Sequence, residues 1–166
     1  MGFNKQNLSA LCSLALILIT YVPLASSVAD DSGFLKTHNE ARAEVGVPPL
    51  EWNETIADFA QNYANERAED CAMEHSMGPY AENIASGKDM TGEAAVKYWC
   101  TEKAEYDYNA NKCTTPNEAD GCYHYTQVVW RTTTQLGCAR ALCKNGDMFV
   151  TCNYDPSQSP ETERPY

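Results

Sequence analysis

Histidine is scarce in this chain, with three in 166 residues, so any chemistry carried by imidazole rests on His38, His75 and His124. Basic side chains are scarce as well: 12 Lys plus Arg stand against 23 Asp plus Glu, a formal net charge of −11. Such a surface repels phosphate backbones and anionic headgroups, which excludes nucleic acid as a natural partner. No C-x-x-C pair occurs, which argues against zinc-finger use of the cysteines. No H-E-x-x-H occurs either, which removes the metalloprotease arrangement of two ligands on one helix turn. Internal repeats and low-complexity tracts are absent.

One long apolar run is present, and it is N-terminal. After Lys5, LSALCSLALILITYV leads to the small residues of LASSVA, the pattern of a cleavable secretory signal over residues 1–29. From Leu8 to Val22 the run falls short of the ~20 apolar residues of a spanning helix, so no integral membrane segment is expected once it is removed. Cleavage after Ala29 or Ser27 is expected. The former leaves 166 − 29 = 137 residues, enough for one domain over 30–166 and too few for two. Loss of Lys5 leaves 11 basic against 23 acidic side chains, a charge of −12.

The rest alternates between helical and strand-like patterning. SGFLKTHNEARAEVGVPP predicts a helix entered at Ser32, with Phe34, Leu35, His38, Ala41 and Val45 on its inner face and Gly46 and Pro48-Pro49 stopping it. His38 then reads as a hydrogen-bonded core histidine. A second amphipathic helix carries Ile56, Phe59, Ala60, Tyr63, Ala64 and Arg67. Asn53 opens it as an N-cap and also heads an Asn-Glu-Thr glycosylation sequon. From Cys71 the pattern alternates, predicting a half-buried strand with Cys71, Met73 and His75 inward. TGEAAVKYWCTEKAEY returns to helical spacing, with Ala95, Tyr98, Trp99 and Glu102 on one face. Around His124 the pattern fits helix or strand equally.

QLGCARALCKNGDMFVTCNYD reads as two strands closed by Lys144-Asn145-Gly146. In that register Cys138 lies opposite Cys152, while Cys143 projects from the other sheet face and needs a distant partner, for which Cys71 is the natural candidate. Cys113 and Cys122 bracket a polar loop as a local bridge. Cys12 leaves with the signal, so seven cysteines remain of eight: three disulfides and an odd thiol, Cys100.

FLKTHNEARAEVGVPPLEW, AQNYANERAEDC, EHS, AENIASG, HYTQVVWR, LGCARALC and CNYDP, in that order, make the chain resemble the plant pathogenesis-related proteins of the CAP superfamily. Cysteine-rich secretory proteins and venom allergens belong to the same superfamily, which shares the SCP domain. The resemblance implies an α+β fold, a three-layer α-β-α sandwich with a mostly antiparallel central sheet. It also implies the disulfides Cys71–Cys143, Cys113–Cys122 and Cys138–Cys152. Cys100 stands where relatives usually carry an apolar residue.

The family's cleft is lined by two histidines and two acids, which carry over as His75, Glu82, Glu102 and His124. Two imidazoles oriented by carboxylates suit a divalent metal such as zinc. Protonated imidazole does not bind metal, so occupancy would be conditional on pH. No nucleophile or complete catalytic set is identifiable. Ser76 adjoins His75, but neighbours along a strand point to opposite faces, so a metal-dependent hydrolase or protease ranks behind binding. Similarity to the family's sterol and lipid binders points to Trp99, Tyr106 and Tyr108 as ligand contacts, with defence against fungi and oomycetes as the role. Residues 156–166, ending Arg164-Pro165-Tyr166, resemble the family's releasable C-terminal signalling peptide, although Gln158-Ser159 replaces the usual Gly-Asn. A monomer exported to the cell-wall space is expected.

Overall fold

A computed structural model of the chain describes Met1 and residues 33–115, 121–158 and 163–166. The expected signal and its cleavage site lie outside the described residues, as do part of the loop between Cys113 and Cys122 and part of the tail.

Helix α1, Phe34–Glu44, follows Gly33, whose positive φ of 77° a side chain would resist. It buries Phe34, Thr37, His38 and Arg42, with Leu35 and Ala41 partly buried against the same core. Strand β1, Glu51–Trp52, leads into helix α2, Glu54–Arg67, whose first turn is capped by Asn53. The Asn53 Oδ1 accepts from the backbone N–H of Thr55 and Ile56 at 2.9 and 3.3 Å, satisfying two of the helix's orphan donors. Its Nδ2, the atom a glycan would take, donates to Gln135 at 3.2 Å.

Strand β2, Ala81–Gly87, precedes helix α3, Gly92–Thr101, and a 3-10 turn, Glu102–Glu105. A short ribbon follows, of β3, Tyr106–Asp107, and β4, Lys112–Cys113. Helix α4, Tyr123–Val128, and the hairpin of β5, Gln135–Leu142, with β6, Met148–Asp155, complete the order. The main sheet runs β1-β5-β6-β2; β1 pairs with β5 in parallel and the other pairs are antiparallel.

One sheet face packs against α2 through Ala60, Ala64, Ile84, Ala139 and Phe149. The other packs against α1, α3 and α4 through Phe34, Trp99, Tyr125, Leu136, Val150 and Tyr154. This is the expected three-layer arrangement. Helix α2 lies close on β5 at Gly137, where a Cβ would stand 2.2 Å from the Ala57 nitrogen.

The three disulfides form as strand parity and loop composition indicated. Cys138 and Cys152 are register partners, Cys143 reaches Cys71 on the opposite face, and Cys113 bonds Cys122. Cys100 is free.

Two expectations fail. Residues 71–80 form no strand, and Met73 and His75 are exposed. Although β2 offers a free edge, the segment does not pair with it: Cys71 and Met77 take positive φ, which breaks an extended run, and Glu74 N–H bonds locally to Ala72. On α3, Tyr98 is 58% exposed while Val96 is buried in its place. The apolar stripe runs Gly92, Ala95, Val96, Trp99, one position off the face that includes Tyr98.

Candidate functional site

His75 lies in the irregular segment before β2 and Glu82 on β2 itself. The His75 Nδ1 donates to Glu82 Oε1 at 2.9 Å, and the backbone N–H of Ser76 donates to the same oxygen at 2.9 Å. Thr151 adds a longer bond to Oε2. The Glu82 side chain is 4% exposed and the imidazole 48%, so a buried carboxylate presents a half-open ring to solvent.

The second pair repeats this plan on other elements. Glu102, at the end of α3, accepts from His124 Nδ1 at 2.6 Å and from the backbone N–H of Tyr125 at 3.2 Å. Each glutamate thus clamps an imidazole and the amide of the residue after it. With Nδ1 donating, each neutral ring leaves Nε2 as its lone-pair nitrogen, the arrangement by which a carboxylate orients a metal-ligating histidine. Here both partners are largely covered, at 11 and 16% exposure, and Trp99 stacks against the ring with centroids 6.2 Å apart.

The structure therefore joins the four residues as two pairs. They flank the edge strand: Glu82 faces the α2 side, whereas the next residue, Asn83, faces the other and donates to the His124 carbonyl at 3.1 Å. Among the described residues no group of three or more His, Cys, Asp or Glu side chains could hold a metal ion. With the two pairs on opposite sides of the edge strand, the donor set does not fit a closed structural site.

Behind the second pair runs a buried polar chain that sequence patterning missed apart from His38. Asn83 also donates to the Tyr154 hydroxyl at 3.0 Å; that hydroxyl donates to His38 Nε2 at 2.8 Å, and His38 Nδ1 donates to the Phe34 carbonyl at 2.9 Å. Burial lowers the His38 pKa to about 4 and pushes the Tyr154 phenol well up. Arg42, fully buried, donates to the carbonyls of Pro48, Val128, Trp130 and Thr133. It ties α1 to the turn after α4, and burial lowers its pKa to about 10. An arginine between inward positions of an amphipathic helix was the available signal.

A separate pocket of about 380 Å³ lies beyond α4, walled by Tyr106, Tyr123, Trp130, Pro165 and the Cys113–Cys122 bridge. Of the three aromatics expected to touch ligand, Tyr106 lines it. Trp99 does not: it is fully buried and donates its indole N–H to the Ile84 carbonyl. Tyr108 is exposed and stacks on Tyr166. Tyr123 and Trp130 were missed; Tyr123 opens the short helix α4 and Trp130 lies two residues past its end.

The cysteine-rich secretory protein family, CAP, matches residues 35–154. The chain belongs to this family. Pathogenesis-related protein 1A1 of Solanum lycopersicum is 51% identical over 141 residues, 83% of this chain and 79% of that relative. Pathogenesis-related protein 1 of Arabidopsis thaliana is 44% identical over 153 residues, 92% of this chain and 91% of the relative. Among solved structures, Schistosoma mansoni venom allergen-like protein 4 superposes with a TM-score of 0.65 at 28% identity, covering 83% of this chain and 94% of that one. NaASP2, crystallised with Zn2+, gives 0.64 at 27%, covering 80 and 82%. The CAP match spans both His–Glu pairs and stops before the tail.

In this CAP chain the C-terminus is docked. Arg131 N–H donates to the Pro165 carbonyl at 2.8 Å, and the Arg164 guanidinium donates to the Tyr108 carbonyl at 2.7 Å. Tyr166 packs on Tyr106, Tyr108 and Tyr125.

Proposed function

We propose that this CAP protein is an exported defence protein that takes up a sterol or similar lipid in the Tyr106–Trp130 pocket and acts against fungal or oomycete pathogens. The supporting observation is the pocket itself, in which aromatic walls and a disulfide offer rigid apolar area at low entropic cost. At about 380 Å³ it sits near the low end of ligand sites, ~300–1,000 Å³, so it would grip one end of a sterol. The relatives named for pathogenesis point the same way, and the acidic surface suits an uncharged ligand.

Binding is favoured over hydrolysis by the hydrogen bonds of the two histidines. Among the described residues no side-chain hydroxyl bonds either imidazole, so neither ring has a nucleophile beside it to activate; the carboxylate on each Nδ1 serves binding and catalysis alike. We further propose a conditional zinc site on His75 and His124, oriented by Glu82 and Glu102 and separate from the lipid pocket. Zinc titration by calorimetry should show a weak site that His75→Ala removes, and unchanged heats in that variant would refute it.

Titration with the fluorescent sterol dehydroergosterol tests the main reading. Saturable binding weakened by Tyr106→Ala or Tyr123→Ala is expected. No saturable binding, or full affinity in both variants, would refute it.

A further inference from the structure

Two features of the pocket are unaccounted for by an apolar ligand site alone. Trp130, which lines it, is 1% exposed and its indole N–H has no hydrogen-bond partner, a cost in the absence of ligand. The second is that one wall comes from the chain's own end, since Pro165 lines the pocket and is buried.

The end is held by several independent contacts. Asn111, itself a pocket residue, donates to the Glu163 carbonyl at 3.2 Å. Arg164 donates to the Tyr108 carbonyl and sits over the Tyr108 ring. Tyr166 stacks on the same ring at 5.1 Å and meets Tyr106, a pocket wall, edge-on at 5.9 Å. Nearer the sheet, Thr133 donates to the Pro156 carbonyl at 2.8 Å. Tail and pocket therefore share Tyr106, Asn111 and Pro165.

We propose that the C-terminal tail is a working wall of the lipid pocket, so that bound ligand and docked tail hold one another in place. The proposal rests on the lipid reading above and adds its regulation. A ligand that touches Pro165 and Tyr106 gains contacts only while the tail is docked. By linkage the same coupling must then oppose undocking of the tail. Loss of residues 156–166 opens the pocket on one side and leaves Tyr106 and Tyr125 without their partner ring. A filled pocket would thus keep its tail, and a chain without its tail would release lipid.

The test compares three proteins for dehydroergosterol binding: the full chain, the chain ending at Asp155, and the full-length Arg164→Ala/Tyr166→Ala double variant. The last undocks the tail without shortening the chain, should truncation impair folding. Affinity about ten-fold weaker in the altered proteins is expected, within the roughly 5–150-fold span of coupled sites. Hydrogen exchange at the Arg131 amide, bonded to Pro165, should slow when sterol is added to the full chain. Equal affinity in all three overturns the coupling and leaves the lipid reading standing. Tighter binding after truncation also overturns it, because the tail would then be a competitor. No binding by the full chain overturns both.

Discussion

Acidification puts the buried His38 to a quantitative test. The ring is fully buried, donates from Nδ1 to the Phe34 carbonyl and accepts the Tyr154 hydroxyl at Nε2. Protonating Nε2 would place a charge in the core and cost that accepted bond. Burial is the main cause of the fall in pKa from 6.5 to about 4; the Phe34 carbonyl opposes it and Arg42 reinforces it. The unfolded chain therefore binds a proton below about pH 6.5 that the folded chain refuses until about pH 4. The group's contribution is fully present above about pH 6.5 and is lost as pH falls to about 4, on the order of 3 kcal/mol in all. Urea unfolding of wild type and His38→Gln at a series of pH values isolates the effect, because carboxylates common to both cancel. At neutral pH the variant is the less stable. The gap should close by about that amount between pH 6.5 and 4, and a gap independent of pH would refute the reasoning.

Gly137→Ala should cost about 3 kcal/mol, because its Cβ would meet the α2 backbone at 2.2 and 2.4 Å; a loss under about 0.5 kcal/mol in urea unfolding would show that the helix can lift freely. Arg42→Met leaves three buried carbonyls, and the partly buried one of Pro48, without the guanidinium and should cost about 3 kcal/mol or more, read as a lowered urea midpoint. The Cys100 thiol, pushed up to about 11 chiefly by burial, should alkylate with iodoacetamide roughly 100-fold more slowly than an unperturbed cysteine near pH 8; rapid labelling of the native protein would contradict its placement.

Wherever one periodicity ran long enough, the sequence made the structure legible. The stripes of α1 and α2 and the parity that sends Cys143 away from Cys138 follow from 3.6- and 2-residue repeats, and the cap at Asn53 from the side-chain oxygen at the helix start. The alternation from Cys71 misled, because a pattern of side chains does not report backbone conformation, and positive φ at Cys71 and Met77 interrupts the extended run. Both histidines of the site were legible through family resemblance, and Glu102 also through helical spacing. Their grouping into pairs on either side of β2 depends on which way Glu82 and Asn83 point across the edge strand. The pocket was only partly legible. Tyr106 was found, but Trp99 belongs to the core, and Trp130 and Pro165 meet only because α4 and the chain end converge in space.

The indole N–H resonances give a direct reading of the lipid site, since the chain has three tryptophans in three settings. Trp99 donates to the Ile84 carbonyl, Trp52 is unpartnered and packs in the core by β1, and Trp130 is unpartnered at the pocket. Titrating the full-length protein with dehydroergosterol while recording proton–nitrogen NMR spectra should shift the Trp130 indole signal and the amides of Tyr106, Cys113 and Tyr123, leaving the Trp52 and Trp99 signals in place. Shifts gathered instead around His75 and Glu82, or a Trp130 signal unmoved at saturating sterol, would contradict the account.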